Sequence, residues 1–189
     1  MIMNTPKGFT LVETLVALSL ITIAMIGPFQ SVENALAASY VARDQIIATN
    51  LAQEGIEYVR SVRDANYLYK LNHTTTTRTW LYGLDGTDAS GGAGGGVNCI
   101  SSDGCVVDPT QNTIAACPAG VCPPLRLSTV TYVYNQSSVT PTNPVTIFTR
   151  KVVLTSTAAH EKKITVTVNW ITRGKPYSVT VSESIYNWL

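Results

Sequence analysis

The sequence predicts an α+β fold in which one long N-terminal α-helix packs on a C-terminal antiparallel β-sheet. An apolar run near the start of the chain passes into an amphipathic helical pattern that continues to about Asp64. The last third of the chain is rich in β-branched and aromatic residues that alternate with polar ones. Since the helix stripe and one face of the sheet are both apolar, each is expected to cover the other.

The chain opens with a short polar leader, residues 1–8, whose only cation is Lys7. An apolar run from Phe9 to Phe29 follows and contains a single charged residue, Glu13. At about 1.5 Å per residue this run would be about 31 Å long, close to the hydrocarbon thickness of a bilayer. Residues 9–29 are therefore predicted to form a transmembrane helix.

Glu13 is the anomaly in this span. A charged side chain costs about 2.5–3.5 kcal/mol at the bilayer centre, so an intramembrane carboxylate is a functional candidate that needs a partner. No Lys or Arg lies between Glu13 and Arg43, so the partner is not on this helix. A cut after Gly8 would release an α-amino group on Phe9, which is cationic near neutral pH and about 6 Å from Glu13 along the helix axis.

Residues 8–13, Gly-Phe-Thr-Leu-Val-Glu, resemble the processing motif of the type IV pilin superfamily. The resemblance implies that a membrane-embedded aspartyl peptidase, the prepilin peptidase, cuts after Gly8 and methylates the new N-terminus on Phe9. It also implies that Glu13 meets the N-terminal amine of a neighbouring subunit during filament assembly.

Lys7 precedes the span and the first charge after it is Glu33. Positive residues stay on the cytoplasmic side, so we expect the N-terminus inside and the rest of the chain outside. The resemblance implies a single-pass protein of the cytoplasmic (inner) membrane that waits in the lipid bilayer. Inner-membrane assembly machinery would then move it into a cell-surface or periplasmic filament with other pilin or pseudopilin subunits.

Gly27 and Pro28 stand near the end of the apolar run. Proline removes one helical hydrogen bond, so a helix break or kink is expected there. The resemblance implies local melting inside the filament, whereas the alternative is a simple kink where the span leaves the membrane.

Residues 30–65 are predicted to form the amphipathic half of the same helix, because no proline occurs from Gln30 to Asp64. Large apolar side chains recur here with an 11-residue repeat, which keeps a narrow stripe on one face. The stripe consists of Val32, Leu36, Tyr40, Ile47, Leu51, Tyr58 and Val62.

Residues 66–124 are predicted to be a connecting loop region, glycine-rich between Gly83 and Gly96. Its four cysteines are spaced C-x5-C, C-x11-C and C-x4-C, which outside the membrane favours two disulfides. The simplest of the three connectivities pairs Cys99 with Cys105 and Cys117 with Cys122.

Metal binding is the rival interpretation of the connecting region. The cysteine spacings are looser than those of structural zinc sites, and no histidine lies nearby. A calcium loop is a further alternative, but its candidate ligands lack the ordered spacing of an EF-hand. Those candidates are Asp85, Asp88, Asp103 and Asp108. We expect no metal site and no cofactor.

Residues 125–189 are predicted to form four strands of an antiparallel meander, at 125–134, 145–155, 163–172 and 177–188. In the third strand apolar residues alternate with polar ones, which indicates one buried face. The apolar set is Ile164, Val166, Val168 and Trp170.

Composition narrows the function. The net charge is +1 without a basic cluster, which argues against a nucleic-acid site. No catalytic triad, zinc-protease helix or pair of catalytic carboxylates is recognisable, so an enzyme is not expected.

We predict a structural filament subunit. Residues 51–60 resemble minor pilins of the PilV-like type and type II secretion pseudopilins. No cysteine follows Cys122, whereas many major pilins close a C-terminal loop with a disulfide, so a minor pilin or pseudopilin is favoured. The alternatives are an ordinary secreted protein cut after Ala37, and a membrane-anchored extracellular binding domain that does not polymerise.

Overall fold

The computed structural model describes residues 8–86 and 97–187 and divides the chain into two units, residues 1–43 and residues 44–189. The predicted α+β fold is confirmed: helix α1 (Leu11–Asn72) is followed, within the described residues, by seven strands in one antiparallel sheet. Most of the predicted glycine-rich loop lies outside the described residues.

The strands are short before residue 145 and long after it. In chain order they are β1 (Cys105–Asp108), β2 (Thr113–Ala116), β3 (Pro124–Leu127), β4 (Tyr134–Asn135), β5 (Val145–Ala158), β6 (Glu161–Thr172) and β7 (Lys175–Tyr186). Strand β5 is central: β6 pairs along one edge, and β1 and β3 pair with different parts of the other edge. Strands β5, β6 and β7 form the predicted meander, with Val152 opposite Val166 and Val166 opposite Val181.

Helix α1 is longer than predicted and continues to Asn72 instead of ending near Asp64. Tertiary contacts hold the extra turns. The Asn66 side chain is buried and donates to the Tyr82 carbonyl at 2.9 Å. The Arg78 guanidinium lies 3.9 Å from the centre of the Tyr69 ring. These partners follow the helix in sequence, so the helical pattern alone did not predict them.

The prediction that residues 66–124 form a loop region is also wrong for residues 105–116, because β1 and β2 form a hairpin there. Cys105, the first residue of β1, pairs with Val152 of β5 and is disulfide-bonded to Cys99. The other two cysteines, Cys117 and Cys122, also bond to each other. All four sulfurs are therefore used in disulfides, which leaves no thiolate to bind zinc.

The strand predicted at 125–134 is divided into β3 and β4 by a turn. The Ser128 hydroxyl accepts a hydrogen bond from the backbone N–H of Thr131 at 3.1 Å. The Ser128 carbonyl accepts one from the N–H of Tyr132 at 2.8 Å. Local bonds of this kind compete with the sheet ladder, which explains the break despite high β propensity.

In the unit of residues 44–189, small residues give α1 its close contact with the sheet. Ala48, Ala52, Gly55 and Val59 are buried, and the first two and Val59 belong to the same core as the apolar face of β6. The predicted stripe is partly right. Leu51 and Tyr58 are buried, Ile47 and Val62 are partly buried, and Val32, Leu36 and Tyr40 are exposed.

Arg150 of β5 is fully buried and joins three elements. Its Nη1 atom donates to the Leu51 carbonyl at 3.0 Å and to Oε2 of Glu54 at 2.8 Å, both on α1. Its Nη2 atom donates to the Val107 carbonyl of β1 at 2.6 Å. The absent side chain of Gly55 leaves room for this arginine beside the helix backbone.

Two further polar contacts attach α1 to β6 and to the turn between β1 and β2. The Thr172 hydroxyl of β6 donates to the buried Asp44 carboxylate at 2.7 Å. The Tyr58 hydroxyl donates to Oδ1 of Asn112 at 3.1 Å. Burial, assisted by the negative charge of Asp108, raises the pKa of Tyr58 above its ordinary value, so this hydroxyl stays protonated. The helix is thus fixed to the sheet by directional bonds as well as by apolar packing.

Replacing Gly55 tests this close packing. A Cβ at this position would lie 3.1 Å from Cγ1 of Val166 and 3.4 Å from Cδ of Arg150. Gly55→Leu is expected to lower the free energy of unfolding by about 1–3 kcal/mol, because overpacking exceeds the gain in helix propensity. Urea unfolding of the full chain in micelles, followed by tryptophan fluorescence, measures it. Ala42→Leu, exposed on the same helix, is the control, and equal midpoints for the two variants would contradict the prediction.

Candidate processing and assembly site

The candidate site begins at the junction between the leader and α1. Residues 8–10 are non-helical, and Thr10 caps the first turn. Its hydroxyl accepts from the N–H of Glu13 at 3.3 Å, and its carbonyl accepts from the N–H of Thr14 at 3.2 Å. Sequence reasoning missed this role of Thr10, although the spacing of a threonine three residues before a glutamate is that of a capping box.

The cap places Glu13 in the first turn of α1. The N-terminal end of a helix carries a partial positive charge, so a carboxylate there is favoured before any other chain is present. The helix terminus therefore stabilises this carboxylate where the surrounding apolar run does not.

The peptide bond between Gly8 and Phe9 is accessible. Both residues are exposed, Phe9 by 82%, and a Cβ built on Gly8 would meet no atom within 4 Å. Since the bond precedes the first helical residue, a peptidase would not have to unwind α1 to reach it. The fold of the described residues places no steric demand for glycine at position 8.

The apolar part of α1 is long and apolar enough to cross a membrane, judged by length and composition. Its most apolar 18-residue window has a mean hydropathy of 1.9, and none of that window is buried. Its hydroxyls bond to their own helix: Thr14 to the Leu11 carbonyl at 2.9 Å and Ser19 to the Val16 carbonyl at 2.8 Å. Such bonds satisfy hydroxyl groups without solvent, as an apolar environment requires.

Glu13 differs from these hydroxyls. Its carboxylate takes part in no hydrogen bond or ion pair with the residues that the structure describes. The structure thus places Gly8, Phe9 and Glu13 at one helix end, with no partner for the carboxylate among the described residues.

Helix α1 is continuous through Gly27 and Pro28, so the structure shows no interruption of the helix there, and the predicted kink or local melting stays a prediction. Pro28 has no N–H to donate to the carbonyl of Ala24, but a single missing bond leaves the rest of the ladder intact. The Ser31 hydroxyl donates to the Gly27 carbonyl at 3.1 Å.

The alternative calcium ligands do not come together where the structure describes them. Among these residues, no three side chains of the His, Cys, Asp and Glu types are grouped as a metal site would require. Asp108 is buried and accepts bonds from its own turn, and Asp85 accepts from the hydroxyl of Thr79. Asp88 lies outside the described residues.

Comparison with known proteins points to the same N-terminal segment. Residues 3–27 match the family model of the prokaryotic N-terminal methylation motif. No curated protein and no solved structure matches the chain. The motif indicates a type IV pilin-like prepilin, and it includes the whole junction from Gly8 to Glu13 as well as Gly27.

Proposed function

We propose that this chain, a type IV pilin-like prepilin by its N-terminal methylation motif, is a minor pilin or pseudopilin that assembles into a type IV pilus-like filament. The observation that carries the proposal is the motif itself, at the start of an exposed apolar segment, residues 9–29, whose one carboxylate has no partner among the described residues. Proteins that carry this motif are structural subunits, and a structural role needs no catalytic group.

Processing is the first step of the proposed function. Prepilin peptidase hydrolyses the accessible bond between Gly8 and Phe9, which separates leader residues 1–8 from the mature chain. The released amine of Phe9 is then methylated, and it keeps its positive charge at neutral pH because a secondary amine remains basic.

Assembly follows from the charge that processing creates. Before the cut, the apolar segment 9–29 carries one carboxylate and no cation. After it, each subunit has both an amine at Phe9 and a carboxylate at Glu13. In a low-dielectric filament core, the carboxylate of one subunit and the amine of its neighbour neutralise each other, and the pair fixes the register of the two helices.

The charge of the leader sets the proposed membrane topology. Lys7 keeps the N-terminus in the cytoplasm, residues 9–29 span the inner membrane, and the remaining chain lies outside. Residues 30–65 then extend the filament-core helix, and the disulfide-bonded sheet faces outward, where an oxidising environment supports both disulfides. Partners are prepilin peptidase, other pilin or pseudopilin subunits and the inner-membrane assembly machinery.

Replacing Glu13 separates a filament subunit from a membrane-anchored domain that never polymerises. Glu13→Gln keeps the size and polarity of the side chain but removes its charge. We expect the variant to remain membrane-inserted and processed, while its incorporation into sheared filaments falls at least about tenfold, which corresponds to about 1.4 kcal/mol. Immunoblots of the filament and membrane fractions measure this ratio.

Glu33→Gln is the matched control, because Glu33 is exposed on the same helix beyond the span. It is expected to enter filaments as the unchanged chain does. Normal incorporation of Glu13→Gln would refute the assembly step and favour the non-polymerising alternative.

A further inference from the structure

A depression beside the β1–β2 turn has a composition that the filament role does not explain. It has a volume of about 560 Å³ and also borders the connections from β3 to β4 and from β4 to β5. Ten of its eleven lining residues carry a neutral hydroxyl or amide, and the eleventh is Val133. No charged residue lines it. Its size is within the usual range of small-molecule sites, about 300–1,000 Å³, whereas its lining residues are almost all of polar types instead of mostly hydrophobic and aromatic.

Buried Asp108 holds two of the bordering segments together. Its Oδ1 atom accepts from the N–H of Thr110 at 2.9 Å and from the Thr110 hydroxyl at 2.6 Å. Its Oδ2 atom accepts from the N–H of Gln136 at 2.7 Å. The carboxylate thus links the β1–β2 turn to the segment that follows β4, and these hydrogen bonds satisfy both of its oxygens.

A reciprocal amide pair joins β4 to the far end of the connection from β4 to β5. Asn135 donates to Oδ1 of Asn143 at 3.0 Å, and Asn143 donates back to Oδ1 of Asn135 at 2.9 Å. Asn143 also donates to the Ser138 carbonyl at 3.1 Å. Both asparagines are buried. The loops around the depression are therefore held by satisfied polar contacts, which pre-organise a site before a ligand arrives.

Other lining side chains remain available. The hydroxyls of Thr131, Ser137 and Ser138 and the amide of Gln111 make no hydrogen bond to any residue that the structure describes. Each hydroxyl is one donor and two acceptors, and the amide offers both kinds of group. The depression therefore presents neutral, adaptable hydrogen-bonding groups on a fixed backbone.

An exposed aromatic residue follows Thr131 in the chain. Tyr132 lies between the lining residues Thr131 and Val133, and 78% of its surface is exposed. Its φ angle is +56°, which is uncommon for a bulky residue and is maintained here by the N–H bond to the Ser128 carbonyl. The fold thus keeps an aromatic side chain in solvent at a backbone cost.

We propose that this depression binds a neutral saccharide. A charged ligand would find no opposite charge among the lining residues, because the carboxylate beneath them is already satisfied. An apolar ligand would cover the free hydroxyls without bonding to them, which is unfavourable. The hydroxyls of a sugar supply donors and acceptors together, which matches the free hydroxyls and the amide of the lining residues. The site lies within residues 44–189 and is independent of processing and assembly.

The test is binding of the full chain to a printed array of neutral hexose and N-acetylhexosamine oligosaccharides, with sialylated and sulfated glycans beside them. The chain is held in phospholipid nanodiscs, because glycoside detergents would compete for the site. We expect at least one neutral glycan to bind and the same glycan in free form to compete.

The variant Thr131→Val/Ser137→Ala/Ser138→Ala should weaken that binding at least tenfold without changing the thermal unfolding midpoint. Gln111→Ala, a single change at an exposed position, should weaken it less, and Thr155→Val on β5, away from the depression, should leave it unchanged. The proposal is overturned if no neutral glycan binds, if acidic glycans are preferred, or if the triple variant binds as well as the unchanged chain.

Discussion

Arg150→Met is expected to lower the free energy of unfolding by about 3–5 kcal/mol, which is the usual effect of breaking a buried ion pair from one side. The guanidinium is fully buried and bonds to the Leu51 carbonyl, the Val107 carbonyl and Glu54. Methionine fills similar space but donates nothing, so two carbonyls and a half-buried carboxylate lose their donor. Helix α1, β1 and β5 would lose their shared connection.

Urea unfolding of the full chain in micelles measures this effect. Arg150→Lys is expected to be intermediate, because an ammonium keeps the charge but cannot reproduce the fork of the guanidinium. Arg60→Met is the control: Arg60 pairs with Glu57 and Glu183 at the surface, where such pairs contribute less than about 1 kcal/mol. If Arg150→Met lowered the free energy of unfolding no more than Arg60→Met does, the buried arginine would not be what connects α1, β1 and β5.

Gly8→Val is expected to prevent removal of residues 1–8 almost completely. A branched Cβ hinders the close backbone approach that a peptidase needs at the residue before the cut, and glycine permits it. The structure separates this effect from folding, because a Cβ at position 8 would meet no atom within 4 Å. The unprocessed chain should accumulate in the membrane and be visible as a heavier band on a denaturing gel.

Gly27→Ala is the matched control for processing. Gly27 also has open space around it and lies within the same motif match, but it is far from the bond between Gly8 and Phe9 where we propose the cut. It should be processed normally. Equal processing of the Gly8 and Gly27 variants would mean that the cut does not occur after Gly8.

The candidate N-terminal site could be proposed from the sequence alone because its chemistry is local, and the roles of its residues stay predictions. Gly8, Phe9 and Glu13 lie within six residues, and an isolated carboxylate in an apolar run stands out without any tertiary information. The meander was also predictable, since the alternation in β6 directly reports one buried face. In both cases the signal lies within a single secondary structure element.

What the sequence did not predict depends on contacts between distant residues. Arg150 was placed in a strand, but an arginine is ordinarily exposed, and its partner Glu54 lies 96 residues earlier in the chain. The helix end at Asn72 depends on Arg78 and Tyr82, which follow it. Hairpin β1–β2 is short and is fixed by β5 and a disulfide. The hydroxyl-lined depression combines three loops whose residues carry no motif.

The mature N-terminus tests the central claim most directly. Intact-mass and peptide mass spectrometry of the chain, purified from a host that contains prepilin peptidase, should find a protein that begins at Phe9 with one methyl group on its amine. A chain that retains residues 1–8, or one that begins at Ala38 after an ordinary signal-peptide cut, would contradict the account.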